Sequence, residues 1–342
     1  MPANPLTKLT QRASLPPGLI VRTGKFVWST MWHLMMSQLA PRQKSGAYVR
    51  PESQFRDRVS PDAAQPGRYR LIVGMGCPWA HRTLITRALK GLEAAIPITT
   101  VSPSGEQGIW VFDQPLLNCQ TLPEFYARMQ SGYAGRATVP VLWDAEAETI
   151  VNNESAEIIE ILNAAFNSLA NNPDLDLYPA AQQAEIDAWN DKIYRTVNNG
   201  VYRCGFAQTQ AAYQDAFTEL FSTLDEVDQA LASHRYLCGE ALTLADVRLF
   251  TTLIRFDVAY YGLFKCNRRR IQDYPQLSGY LRDIYQQPGI AETCDVEAVK
   301  RDYYGNLFPL NPGGLIPLGP ELEDWNQPPG REALAAAGQH HG

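Results

Sequence analysis

Hydrophobic and polar positions change rhythm along the 342 residues, and the changes mark out the elements. Tyr69-Arg70-Leu71-Ile72-Val73 is a short β-favouring run ended by Gly74, which predicts a buried strand. After the turn Gly74-Met75-Gly76, apolar residues at Ala80, Leu84, Ile85, Ala88 and Leu89 hold the spacing of one helix face. Residues 96–101 read as a second strand. Thr138-Val139-Pro140-Val141-Leu142-Trp143 and Thr149-Ile150-Val151 flank an acidic turn, the pattern of an antiparallel hairpin. Ile158, Ile159, Ile161, Leu162 and Phe166 then predict an amphipathic helix. From about residue 180 the strand patterns stop, and long periodic segments predict helices over 184–199, 211–233, 244–259 and 275–286.

The two ends have a different texture. Residues 1–65 are punctuated by Pro and Gly and carry Trp28, Trp32, Tyr48 and Phe55, which predicts an irregular arm lying on the folded body. The last forty residues, with Pro309, Pro312, Gly313, Gly314, Pro317, Gly319 and Pro320, predict a tail without helix or central strand. The order βαβ…ββα is that of a thioredoxin-like domain. The expected organisation is an arm (1–65), a thioredoxin-like α/β domain (66–170), an all-helical domain (180–300) and a Pro/Gly-rich tail (301–342).

Composition narrows the class. Hydrophobic residues are 45% and charged residues 19%, which excludes a mainly disordered chain. A formal charge of −6 gives no reason to expect nucleic acid or an anionic membrane as partner. The apolar stretch 26–36 is broken by Ser29, Thr30 and His33 and is too short to span a bilayer, so neither a transmembrane helix nor a signal peptide is expected. Six dispersed cysteines without a CxxC pair predict reduced thiols and a cytoplasmic location.

Candidate chemistry begins at Gly76-Cys77-Pro78-Trp79-Ala80-His81-Arg82. A cysteine between a strand and a helix faces unpaired backbone N–H groups, a position that stabilises a thiolate and can lower a thiol's pKa to about 3.5–7.5. Pro78 suits the first helical position, where its missing N–H is no loss. A dithiol oxidoreductase would have its second cysteine where Ala80 stands, so this is a monothiol site that needs an external thiol. Val139-Pro140 is expected to be cis beside such a site, turning neighbouring backbone groups toward a bound peptide, although a trans edge-strand proline has the same sequence. Asn152-Asn153-Glu154-Ser155 sits at a strand-to-helix junction. Asn153 or Ser155 can be a helix cap, or Ser155 and nearby amides can hold a carboxylate while Glu154 takes an ammonium. Thr243-Leu244-Ala245-Asp246 is a capping box with a structural role.

Taken together, these stretches resemble the glutathione transferase superfamily and, more narrowly, its xi class, the glutathionyl-hydroquinone reductases. Asn198-Asn199-Gly200-Val201-Tyr202, Arg255-Phe256-Asp257, Phe264-Lys265-Cys266 and Asp302-Tyr303-Tyr304 extend the likeness over about residues 48–320. The resemblance implies a thioredoxin-like domain followed by an all-helical one, a homodimer, glutathione as co-substrate and no metal. It implies that the Cys77 thiolate attacks the sulfur of a glutathionyl-hydroquinone, and that a second glutathione resolves the mixed disulfide as oxidised glutathione. Trp110, the Val139 backbone, Glu154 and Ser155 would hold glutathione. Tyr202, Tyr260 and Tyr303 would line the hydroquinone pocket, and either Arg128 or Arg136 would meet a glutathione carboxylate. The alternatives are an omega-like thiol transferase or dehydroascorbate reductase, and a non-catalytic binding module.

Overall fold

The computed structural model describes residues 16–331 and Leu334. Six strands form one sheet in the order β4-β3-β2-β1-β5-β6. β1 (Tyr69–Val73) runs parallel to β2 (Ile98–Pro103) and antiparallel to β5 (Val141–Asp144), which pairs with β6 (Thr149–Asn152). β3 (Trp110–Leu116) and β4 (Cys119–Thr121) add an edge hairpin, followed by α3 (Leu122–Met129). None of these three was expected. The hairpin turns at Leu117 and Asn118, both left-handed with φ of 50° and 64°, and Leu-Asn lacks the glycine that normally advertises such a turn. α3 begins in a capping box between Thr121 and Glu124.

The predicted thioredoxin-like core is present, with α2 (Pro78–Leu89) packed against α4 (Ser155–Ala164). The second half is all-helical, as expected: α5 (Gln183–Ile193), α6 (Gly200–Gly205), α7 (Gln210–Ala230), α8 (Leu244–Arg255), α9 (Leu277–Tyr285) and α10 (Val296–Asn306). α5 and α8 each continue into a π-helical turn, Tyr194–Asn198 and Phe256–Tyr260, of the kind that re-aims side chains at functional sites. The capping box holds together: buried Asp246 accepts from the Thr243 amide and hydroxyl, the Leu237 amide and the Tyr280 hydroxyl.

Two expectations about the ends need correction. The arm is not irregular throughout, because α1 (Pro17–Leu39) occupies its middle. Exposed Leu19, Ile20, Val21, Phe26, Val27 and Trp28 are spread round that helix, so no apolar stripe signals it in sequence. The tail does not begin at 301: α10 runs through Asn306, and the proline-rich composition begins only after it. Residues 1–15, 332, 333 and 335–342 lie outside the described residues.

α2 joins the halves, packing on α8 as well as on α4. Arg82, fully buried on α2, donates to Asn198 Oδ1 (2.6 Å) and Ser155 Oγ (3.3 Å). Asn198 in turn donates to Thr252 Oγ1 and the Arg248 carbonyl. Among the described residues no helix is long and apolar enough to cross a membrane.

Candidate active site

A cavity of about 610 Å³ opens where the two halves meet. Cys77 stands on its floor as the N-cap of α2, in extended conformation, with its carbonyl accepting the first helical bond from His81. The Val139-Pro140 peptide is cis, and the Val139 carbonyl lies 3.9 Å from the Cys77 Sγ. The turn before Cys77 is tightly covered. A Cβ at Gly74 would strike the Trp110 ring, and one at Gly76 would collide with the Asp302 carboxylate, so both positions require glycine.

The thiol does not follow the expectation for a helix N-terminus. Burial pushes Cys77 above its ordinary value, outweighing the opposing pull of the Ala80 and Trp79 amides and of Arg255 and Arg50. Arg255, buried on α8, pins the turn by donating to the carbonyls of Gly76 (3.0 Å) and Met75 (3.3 Å). It also donates to His81 Nδ1 (2.8 Å). Because a guanidinium can only donate, His81 must carry its proton on Nε2, which faces Thr293 Oγ1 at 2.8 Å. Burial keeps this imidazole neutral, far below its usual pKa.

Of the expected glutathione contacts, Trp110, Val139, Glu154 and Ser155 all reach the cavity wall. The cap of α4 is neither Asn153 nor Ser155 but Glu154, whose Oε1 accepts from the Ala156 amide (3.1 Å). Its Oε2 accepts from Ser53 Oγ of the arm (2.9 Å). Of the two candidate arginines, Arg136 lines the cavity, whereas Arg128 points to Glu148 at 3.6 Å.

Tyr202 and Tyr303 face the cavity from α6 and α10, their hydroxyls 2.5 Å apart. Tyr260 does not line it. Fully buried in the π-helical turn beside Phe264, it reaches the Tyr303 hydroxyl from behind at 2.9 Å. Burial raises all three phenols, Tyr202 and Tyr303 well past their ordinary values, so they remain protonated donors at neutral pH.

Sequence reading missed Arg50 and Asp302, both in the wall. Two guanidinium groups lie over the Trp79 ring, Arg50 at 3.9 Å and Arg82 at 4.5 Å from its centre, and the ring also stacks on Tyr202. Arg50 belongs to a polar stretch of the arm with no periodicity to mark it. Asp302 stood beside a residue already singled out, but its meaning depends on contact with Gly76, which sequence does not reveal.

The chain matches the family models for the glutathione S-transferase N-terminal domain over residues 76–165 and for the C-terminal domain over residues 210–283. It is 44% identical over 326 residues to the glutathionyl-hydroquinone reductase YqjG of Escherichia coli, covering 90% of this chain and 97% of that one. It is also 44% identical over 303 residues to the glutathionyl-hydroquinone reductase PcpF of Sphingobium chlorophenolicum, covering 86% and 94%. The xi glutathione transferase structure from Phanerochaete chrysosporium superposes with a TM-score of 0.79 at 44% identity, over 82% of this chain and 94% of that one. The glutathione-bound structure of YqjG gives 0.78 at 46% identity, over 82% and 96%. A monothiol helix start, a cis-proline strand and a tyrosine-capped cavity thus coincide with similarity over nearly the whole chain, which belongs to the xi class of the glutathione transferases, the glutathionyl-hydroquinone reductases.

Proposed function

We infer that this protein reduces glutathionyl-hydroquinones to hydroquinones at the expense of glutathione, releasing oxidised glutathione. The observation that carries this reading is the division of one cavity into a sulfur-exchanging floor and a phenol-lined roof. At the floor a single thiol, Cys77, lies beside Val139, Glu154 and Ser155, which suit the backbone, ammonium and carboxylate groups of glutathione. Trp110 covers the approach and Arg136 supplies a cation for a second carboxylate.

In the proposed cycle the Cys77 thiolate attacks the glutathionyl sulfur. The new Cys77–glutathione disulfide forms as the sulfur–ring bond breaks, and the ring leaves with the electron pair. A second glutathione, as thiolate, attacks the mixed disulfide and leaves as oxidised glutathione, restoring Cys77. Tyr202 and Tyr303 meet the charge that develops on the ring oxygens, and Tyr260 orients Tyr303. Such a roof has no evident use in a thiol transferase acting on small disulfides, which favours the hydroquinone reading over the omega-like one. A homodimer and a reducing, cytoplasmic setting complete the proposal; the six free cysteines suit the latter.

Turnover with glutathionyl-menadiol and a glutathionyl chlorohydroquinone, followed by release of the free hydroquinone, tests the reading. Robust exchange with small disulfides but no release of hydroquinone from either compound would contradict it.

A further inference from the structure

The proposed reduction has a proton requirement that Cys77 and the tyrosines do not meet. The ring carbon leaves sulfur with an electron pair and needs a proton, while Cys77 must lose one to attack. Tyrosine hydroxyls held above their usual pKa stay protonated, so they stabilise charge but cannot take up the proton of the Cys77 thiol. Glu154 is occupied, one oxygen capping α4 and the other taken by Ser53. Glu52 is exposed on the arm.

Asp302 is different. It lines the cavity next to Tyr303, and its carboxylate is packed against Gly76, the residue before the nucleophile. The side chain is only 9% exposed, and its buried Oδ1 accepts no hydrogen bond, although the exposed Arg301 lies 3.5 Å away. An acceptor oxygen buried without a donor disfavours the charged form.

We propose, on the basis of the glutathionyl-hydroquinone reading, that Asp302 is the proton carrier of the site, taking up the proton of the Cys77 thiol and delivering it to the ring carbon that sulfur leaves. The step balances. Cys77 thiol and Asp302 carboxylate become thiolate and carboxylic acid; the thiolate forms the S–S bond as the S–C bond breaks; the acid then protonates the carbon and is a carboxylate again. Sulfur is oxidised and the ring reduced. In the second half glutathione attacks as a thiolate and Cys77 leaves as one, taking its proton afterwards from solvent, so no proton passes through Asp302.

The surroundings place the carboxyl near the working range. Burial, with a smaller push from Asp295 at the start of α10, holds Asp302 at about 6 against the opposing pull of Arg301, the Gly76 backbone and Arg255. Carrier and thiol together then hold one proton between about pH 6 and the raised thiol value. Across that window the reaction with a glutathionyl-hydroquinone is flat in pH, because thiolate and acid arise together. Exchange with oxidised glutathione needs thiolate alone and climbs with pH.

The test is single-turnover glutathionylation of Cys77, followed by mass spectrometry, with glutathionyl-menadiol and with oxidised glutathione as donors. Asp302→Asn should slow the menadiol reaction on the order of 100-fold, the usual scale for a general acid, and turn its pH plateau into a slope. Exchange with oxidised glutathione should stay within about threefold of the parent, since removing a neighbouring negative charge favours the thiolate. Asp302→Glu should recover part of the rate and the plateau. Equal slowing with both donors, or a plateau that survives in Asp302→Asn, overturns the carrier role. If the parent protein takes glutathione from oxidised glutathione but never from glutathionyl-menadiol, the functional reading falls and the carrier role with it.

Discussion

The floor and the roof of the cavity are built in different ways. The floor is local: Cys77, Val139, Glu154 and Ser155 sit at the ends of neighbouring strands and at two helix N-termini, and backbone groups do much of the work. The roof is distributed: Tyr202, Tyr260 and Tyr303 come from α6, a π-helical turn and α10, and meet through their hydroxyls and edge-on ring contacts. Chemistry common to many thiol enzymes can rest on a local motif, whereas recognition of an aromatic substrate has to be assembled across the helical half.

Experiments that separate the two ends put this contrast at risk. The largest effect should come at the floor. Cys77→Ala should abolish reduction outright while glutathione still binds, because the other contacts remain; turnover assay and calorimetry together check this. Next come Tyr202→Phe and Tyr303→Phe. Losing one donor to a developing oxyanion costs about 3 kcal/mol, and sharing among neighbours should leave each change at roughly 10- to 100-fold in kcat. Both should leave exchange with oxidised glutathione intact, and loss of that exchange too would erase the distinction.

Smaller changes are expected where binding alone is touched. Glu154→Gln should raise the KM for glutathione about tenfold, equivalent to about 1.4 kcal/mol, with little change in kcat. The pH dependence has a definite sign. Burial lifts the thiol, so thiol dominates at neutrality, and modification of Cys77 by oxidised glutathione should rise about tenfold per pH unit until it levels above pH 9. A plateau already at pH 7 would mean a low-pKa thiolate instead. The smallest effect belongs to Tyr260→Phe, which reaches the cavity only from behind Tyr202 and Tyr303 and should cost about threefold or less in kcat.

The same contrast governs how much could be read from sequence. A cysteine followed by proline at a helix start is a property of adjacent residues, so Cys77, the cis Val139-Pro140 peptide and the Glu154 junction were all legible before any coordinates. The thiol's raised pKa was not, because it depends on how much of the fold closes over it. Tyr202 and Tyr303 could be named only through family likeness, and Tyr260 was misplaced: its distance from the cavity depends on a π-helical turn invisible to a 3.6-residue period. α10 was not read as a helix at all, because the prolines after it dominate the local composition. Arg50 was silent for the opposite reason, lying in chain with no periodicity at all.

The arm also closes an edge. Residues 53–58 run beside β6, where the Asp57 amide donates to the Val151 carbonyl, Arg56 bridges Asn152, and Phe55 and Asn153 exchange bonds. β6 is the last strand of its sheet, and an uncovered last strand is a template for another chain. Starting the protein at β1 would therefore do more than remove Arg50 and Ser53 from the cavity. It would uncover a row of backbone donors and acceptors and turn a question of catalysis into one of aggregation, so any minimal version of this enzyme has to begin upstream of residue 53.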